Sequence, residues 1–232
     1  MKNVIKLIPL IIFFGMCSKK APEEEVSSMF SKNFIQCYGI VESLECIYYQ
    51  EISNLIFLNV RGDGILNSKF SSYGNPNSQE LFKKFAEQWG DTCYNSIVPI
   101  GSQHSVIADE FTINNITCDK DFNNYLAGES LNGIIEFIGK SCYKFVKSGY
   151  KDKFDWNTYN WQPFVYYADD PIDGYHLIKK RLSEITSEDM VLLYPSIVLE
   201  FTEKPVAGDY VFTINFTLKG KEILDSVSVK FK

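Results

Sequence analysis

Tyr210-Val211-Phe212-Thr213-Ile214-Asn215-Phe216-Thr217-Leu218 alternates without a break: Tyr210, Phe212, Ile214, Phe216 and Leu218 share one parity, and mostly polar residues take the other. Period two is the period of a strand, and one apolar parity means one buried face. Upstream, Ile197, Leu199 and Phe201 alternate in the same way, with Pro205-Val206-Ala207-Gly208 as a turn between the runs. Downstream, Gly220 turns the chain again and Val227, Val229 and Phe231 close it. Three such strands predict one half of a β-sandwich of immunoglobulin-like type.

Further upstream, Phe111 and Ile113 alternate with Thr112 and Asn114, and Gly133 to Ile138 forms a short apolar run. Both read as strands. Ser141 to Ser148 reads as one or two helical turns. Tyr175 to Ile185 reads as a helix, with Leu177, Ile178, Leu182 and Ile185 inward. Ser187-Glu188-Asp189 reads as the acidic opening of another short helix.

The first part of the chain has a different rhythm. Val26, Phe30, Phe34, Cys37 and Val41 recur at steps of three and four, the stripe of an amphipathic helix. Leu44 to Gln50, Leu55 to Val60 and Ile65 to Phe70 then read as a three-stranded meander, with Arg61-Gly62-Asp63-Gly64 as a hairpin turn. Leu81, Phe82, Phe85 and Trp89 form one face of a helix that ends at Gly90. The expected class is therefore α+β, mainly antiparallel β: a small α+β unit of helix plus meander over 26–100, then a β-sandwich-like domain over 101–232.

The opening residues carry an address. Lys2 and Lys6 precede an apolar run from Leu7 to Phe14 that is too short to span a membrane, and Gly15-Met16-Cys17 follows. This predicts a signal peptide over 1–16. The placement of Cys17 resembles a bacterial lipoprotein signal, in which that thiol is lipidated. An ordinary signal peptide cut nearby, with Cys17 incidental, is the alternative. Residues 17–25 then form a tether carrying Glu23-Glu24-Glu25, an acidic cluster that resembles the surface-display signal of Bacteroides-type lipoproteins. The implied location is the outer membrane, with the body on the cell surface and held to the membrane by lipid.

Composition removes one function class. Without Lys2 and Lys6 the mature chain carries 21 Lys+Arg against 29 Asp+Glu, a net charge of −8. No basic stripe exists to neutralise phosphates, so nucleic acid is not an expected partner. Cys37, Cys46, Cys93, Cys118 and Cys142 remain for the body, an odd number with no C-x-x-C spacing, and one disulfide at most is expected among them. His104 and His176 stand in no metal-binding spacing, and no cofactor is expected.

Asp119-Lys120-Asp121-Phe122, Ala127-Gly128-Glu129-Ser130-Leu131-Asn132 and Phe145 to Tyr150, with the closing strands, resemble exported lipoproteins of Bacteroides-like bacteria. That group implies a location and a fold and transfers no catalytic residue. Gly128-Glu129-Ser130 itself misses the nucleophile elbow, whose second glycine would come one residue earlier, and reads as a β-turn.

Tyr150 to Tyr167 is the segment that points to binding. Its aromatics, Trp156, Tyr159 and Trp161 among them, are interleaved with Asp155, Asn157 and other polar residues. Aromatic faces beside carboxylates and amides stack on sugar rings and bond their hydroxyls. The alternative is a connection that uses its aromatics to pin itself over the core. Asp225-Ser226-Val227 resembles a short acceptor for O-linked glycans, which would place a sugar on Ser226. The expected function is a non-catalytic binding or interaction module for a glycan or for a host or envelope protein. A hydrolase using carboxylates that sequence cannot pair, and a structural subunit of an envelope complex, are the other classes.

Overall fold

The computed structural model describes residues 28–48, 54–66, 76–99, 105–159 and 171–232. The signal stretch, the tether with Cys17, and Trp161 lie outside the described residues. Within them, eleven strands and two α-helices follow the order β1 (Ser28–Ser31), β2 (Cys37–Tyr48), β3 (Leu55–Leu66), α1 (Pro76–Trp89), β4 (Ser96–Pro99), β5 (Ser105–Ile107), β6 (Phe111–Cys118), β7 (Ile135–Ser141), α2 (Tyr143–Lys147), β8 (His176–Arg181), β9 (Ser196–Phe201), β10 (Gly208–Leu218) and β11 (Lys221–Phe231). The chain is mainly antiparallel β, as expected.

Two sheets share one apolar core. The smaller has the order β11-β10-β6 and the larger β5-β2-β3-β9-β7-β8, while β1 and β4 pair separately. The alternating parity of β10 does what its sequence dictates: Phe212, Ile214 and Phe216 are buried and meet Ile56, Phe137 and Leu199 of the larger sheet in one cluster. At one end of that core Phe122 lies 5.2 Å from Phe212 and 5.1 Å from Phe201, ring centroid to centroid.

The closing strands do not form one sheet, as the alternation alone suggests. β10 pairs with β11 and β6, whereas β9 pairs with β3 and β7 in the facing sheet. Alternation marks a buried face but not its partner, and β9 and β10 bury theirs toward each other. The larger sheet also draws β2 and β3 from before residue 100 and β5, β7, β8 and β9 from after it.

The helix expected over Val26 to Val41 does not form where the chain is described: Phe30 lies in β1, Phe34 in the irregular link after it, and Cys37 and Val41 in β2. Within β2, Tyr38, Val41 and Leu44 are buried at steps of three. The cause is a strand covered on both faces: Tyr38 packs into a second core under the helices, and Val41 and Leu44 into the core between the sheets. A bulge between Val41 and Ser43 returns Leu44 to the face of Val41. Arg61 to Gly64 is likewise no hairpin turn but the middle of β3, paired with Ser43 to Gly39. Gly62 serves close approach rather than a positive φ, since a Cβ there would stand 1.9 Å from the Ile40 carbonyl oxygen.

Tyr175 to Ile185 is also not a helix. β8 occupies most of it as an antiparallel edge strand on β7, and a single 3-10 turn takes Leu182–Glu184. Leu177 and Ile178 pack on opposite sides of the sheet, so both are sheltered although they are neighbours. Ser187-Glu188-Asp189 lies in a turn, where the Asp189 carboxylate accepts the Thr186 N–H at 2.9 Å and its hydroxyl at 2.7 Å.

The two helices that do form cover the second core. α1 buries Phe82 and Ala86 and half-buries Phe85 and Trp89, which is the face its apolar spacing sets. It stops at Gly90, whose φ of +75° suits glycine, and the Asp91 N–H closes the end on the Ala86 carbonyl at 2.8 Å. α2 is a single short helix that buries Phe145 and Val146 against Phe34 and Tyr175.

Candidate functional site: a groove beside Trp89

The expected site divides. Trp156 is half-buried, and its indole N–H donates to the Ile172 carbonyl at 3.2 Å. Phe154 meets it edge-on at 4.8 Å and Tyr159 at 6.4 Å, so these rings pack on one another. Exposed Asp155 turns back to accept the N–H of exposed Asn157 at 3.0 Å, an Asx turn within the loop. His176 ties the loop to β8 through the Asp152 carbonyl at 2.8 Å. This part of the segment has the character of a pinned connection. Ser226 stands elsewhere, exposed on β11 with its hydroxyl 3.2 Å from that of Thr213.

A larger concavity lies where the two helices meet the sheets. A groove of about 490 Å³ opens between the end of α1, the start of β6, the start of α2 and the turn at 187–191. This is the size of ordinary small-ligand sites. Its aromatic walls are Trp89 and Tyr143, with centroids 6.4 Å apart in an edge-on arrangement. Phe111, Met190 and Val191 add apolar floor, and Thr112 and Ser187 add hydroxyls. Glu110 and Glu188 supply two carboxylates.

Each element has a local reason for its place. The Lys219 N–H donates to the Glu110 carbonyl at 3.2 Å, and Asp109 receives the Val41 N–H at 2.6 Å and the Lys219 ammonium at 3.2 Å. That fixes the lip of β6. Ser141 Oγ accepts the Tyr143 N–H at 3.0 Å at the start of α2, and the Tyr194 N–H donates to the Lys140 carbonyl at 2.7 Å. The 187–191 turn is thereby held alongside α2.

The electrostatics of the groove are asymmetric. Lys147 donates to Glu188 at 2.9 Å and stands 4.9 Å over the Tyr143 ring. The hydrogen bond and charge of Lys147 hold the Glu188 carboxyl below its usual range. Glu110 is exposed and makes no ion pair among the described residues. The indole N–H of Trp89 is shielded from solvent and has no partner among the described residues. A buried donor left unpaired is costly.

The groove residues escape a motif search because they come from four separate stretches. The one available signal was Trp89 itself, a large amphipathic ring on the last residue of an apolar helical face. All five body cysteines are unpaired, and the buried Cys142 thiol is pushed up by its burial. Among the described residues no three His, Cys, Asp or Glu side chains cluster as a metal site, and no helix is long and apolar enough to cross a membrane. No family model matches the chain, and no curated protein or solved structure matches it either.

Proposed function

We infer that this protein is a non-catalytic glycan-binding module of the bacterial envelope, using the groove beside Trp89. The reading keeps the lipid anchor on Cys17 and a surface location, supported by the basic and apolar opening and the acidic tether. The observation that carries the binding role is the groove itself, which sets the rings of Trp89 and Tyr143 beside hydroxyls and the exposed, unpaired carboxylate of Glu110. Sugars present apolar ring faces and many hydroxyls, and this mixture meets both. An immunoglobulin-like sandwich stays a proposal for the body, supported by two mainly antiparallel sheets that close on one core.

The test is a binding screen of the full chain against immobilised neutral and amino-sugar polysaccharides, repeated with Glu110→Gln. Binding that weakens in the variant supports the groove, and retention of none of the polysaccharides rejects the function. Protease treatment of intact cells, with the mass of the mature N-terminus, tests the location separately.

One observation favours a second reading, that of a glycoside hydrolase. Glu110 and Glu188 line the same groove, and paired acids are what such chemistry uses. Lys147 keeps Glu188 ionised, as a base or nucleophile requires. Release of reducing ends from a bound polysaccharide, abolished by Glu110→Gln, would select this reading over plain binding.

A further inference from the structure

A second, smaller depression of about 130 Å³ adjoins the groove. Tyr143 and Glu188 line both concavities, so one shared wall separates them. Beyond that wall the second depression is lined by Phe154 and His176, with Lys144 and the Lys180–Asp189 ion pair at 2.8 Å. Phe154 is the ring against which Trp156 packs at 4.8 Å. Among the described residues, the aromatic loop thus lends Phe154 to this second depression. It furnishes the far end of a path that begins at Trp89.

We propose that the two depressions form one track for an extended glycan chain, with separate subsites at Trp89 and at Phe154, divided by Tyr143. This rests on the glycan-binding reading above and goes beyond it by naming the ligand as a chain of several units rather than a single sugar. Three observations carry it. Aromatic rings recur along the path, at Trp89, Tyr143 and Phe154, as stacking of successive rings requires. The dividing wall is continuous, since Lys147 bonds Glu188 and stands over the Tyr143 ring. Hydrogen-bonding groups flank the rings on both sides, with Glu110 and Thr112 at one end and His176 and Lys144 at the other. The acids of the groove and the net charge of the mature chain, −8, select neutral or N-acetylated sugars over acidic ones.

The experiment is calorimetric titration of the full chain with glucose and N-acetylglucosamine oligomers, β-1,4-linked, from disaccharide to hexasaccharide. Affinity should rise by about tenfold or more along the better series, since a second aromatic subsite adds a contact of that order. Phe154→Ala should erase the gain for long oligomers and leave the disaccharide unchanged, while Trp89→Phe should weaken every length. Lys144→Ala, at an exposed residue of the second depression, repeats the Phe154 test without touching the packing of the loop. Affinity independent of length, or a long-chain gain that survives both second-depression variants, overturns the track and leaves a single-subsite binder. Binding to no oligomer of either series overturns the glycan reading itself.

Discussion

The hydroxyl of Tyr150 donates to Oδ1 of Asp91 across 3.0 Å. Asp91 is fully buried and also accepts the N–H groups of Phe34 at 2.8 Å and Ile35 at 2.9 Å, with the Tyr38 hydroxyl at 3.4 Å. No cation pairs with it among the described residues. One carboxylate thus gathers the segment before β2, β2 itself, the end of α1 and the end of α2, and it shares with the groove only the two helices.

Asp91→Asn should cost about 1 to 3 kcal/mol, because an amide nitrogen must face donors that an oxygen now accepts. Burial raises the Asp91 carboxyl above its usual range, against the hydrogen bonds that lower it. The folded state therefore holds its proton to higher pH than the unfolded chain. This contribution to stability is complete below about pH 3.9, the ordinary Asp value, and is lost as pH rises through the folded pKa. Denaturant unfolding across pH should show that slope in the native chain and lose it in Asp91→Asn.

Asp189 has the opposite sign. Burial alone would raise its pKa, but the Lys180 ammonium and the Thr186 N–H and hydroxyl together lower it. Its stabilisation is present above about pH 3.9 and disappears as pH falls through the lowered folded value. Asp189→Asn should flatten the acid side of the same stability curve and leave the Asp91 slope in place.

Gly62→Ala places a Cβ 1.9 Å from the Ile40 carbonyl oxygen, which backbone alone must relieve. The expected loss is about 1 to 3 kcal/mol or more, as for other overpacked sites. Thermal unfolding measures it. An unchanged midpoint would mean that the Val41 bulge is not formed as described.

Trp156→Phe removes the donor to the Ile172 carbonyl and should cost about 1 kcal/mol. Limited proteolysis should then cut faster near residues 150–159. Disaccharide binding should be unchanged, because Trp156 buttresses Phe154 and stands apart from the Trp89 end of the groove. Loss of disaccharide binding in this variant would move the site to the loop.

Period two was legible wherever a strand buries one face, and β10 and β6 read correctly from their own residues. It failed in β2 and β8, although β3 and β9, also covered on both faces, read as strands. Phe34 and Val41 of the expected helical stripe go to two different cores, and Leu177 and Ile178 to two sides of one sheet, so each set imitates a helix. Strand partners were invisible for another reason. β3 and β9 are joined by tertiary packing across most of the chain, and no local pattern encodes that choice. The groove shares this property. Glu110, Tyr143 and Glu188 carry no mark that separates them from other surface residues, and only the fold brings them beside Trp89.

The most direct measurement follows the indole N–H resonances of ¹⁵N-labelled protein during titration with the tightest-binding oligosaccharide. The chain has three tryptophans, Trp89, Trp156 and Trp161, and Trp89→Phe assigns the first by its disappearance. The account predicts that the Trp89 indole signal moves most, as its ring gains a sugar packed against it. A titration that moves only the Trp156 or Trp161 signals, or none of the three, contradicts it.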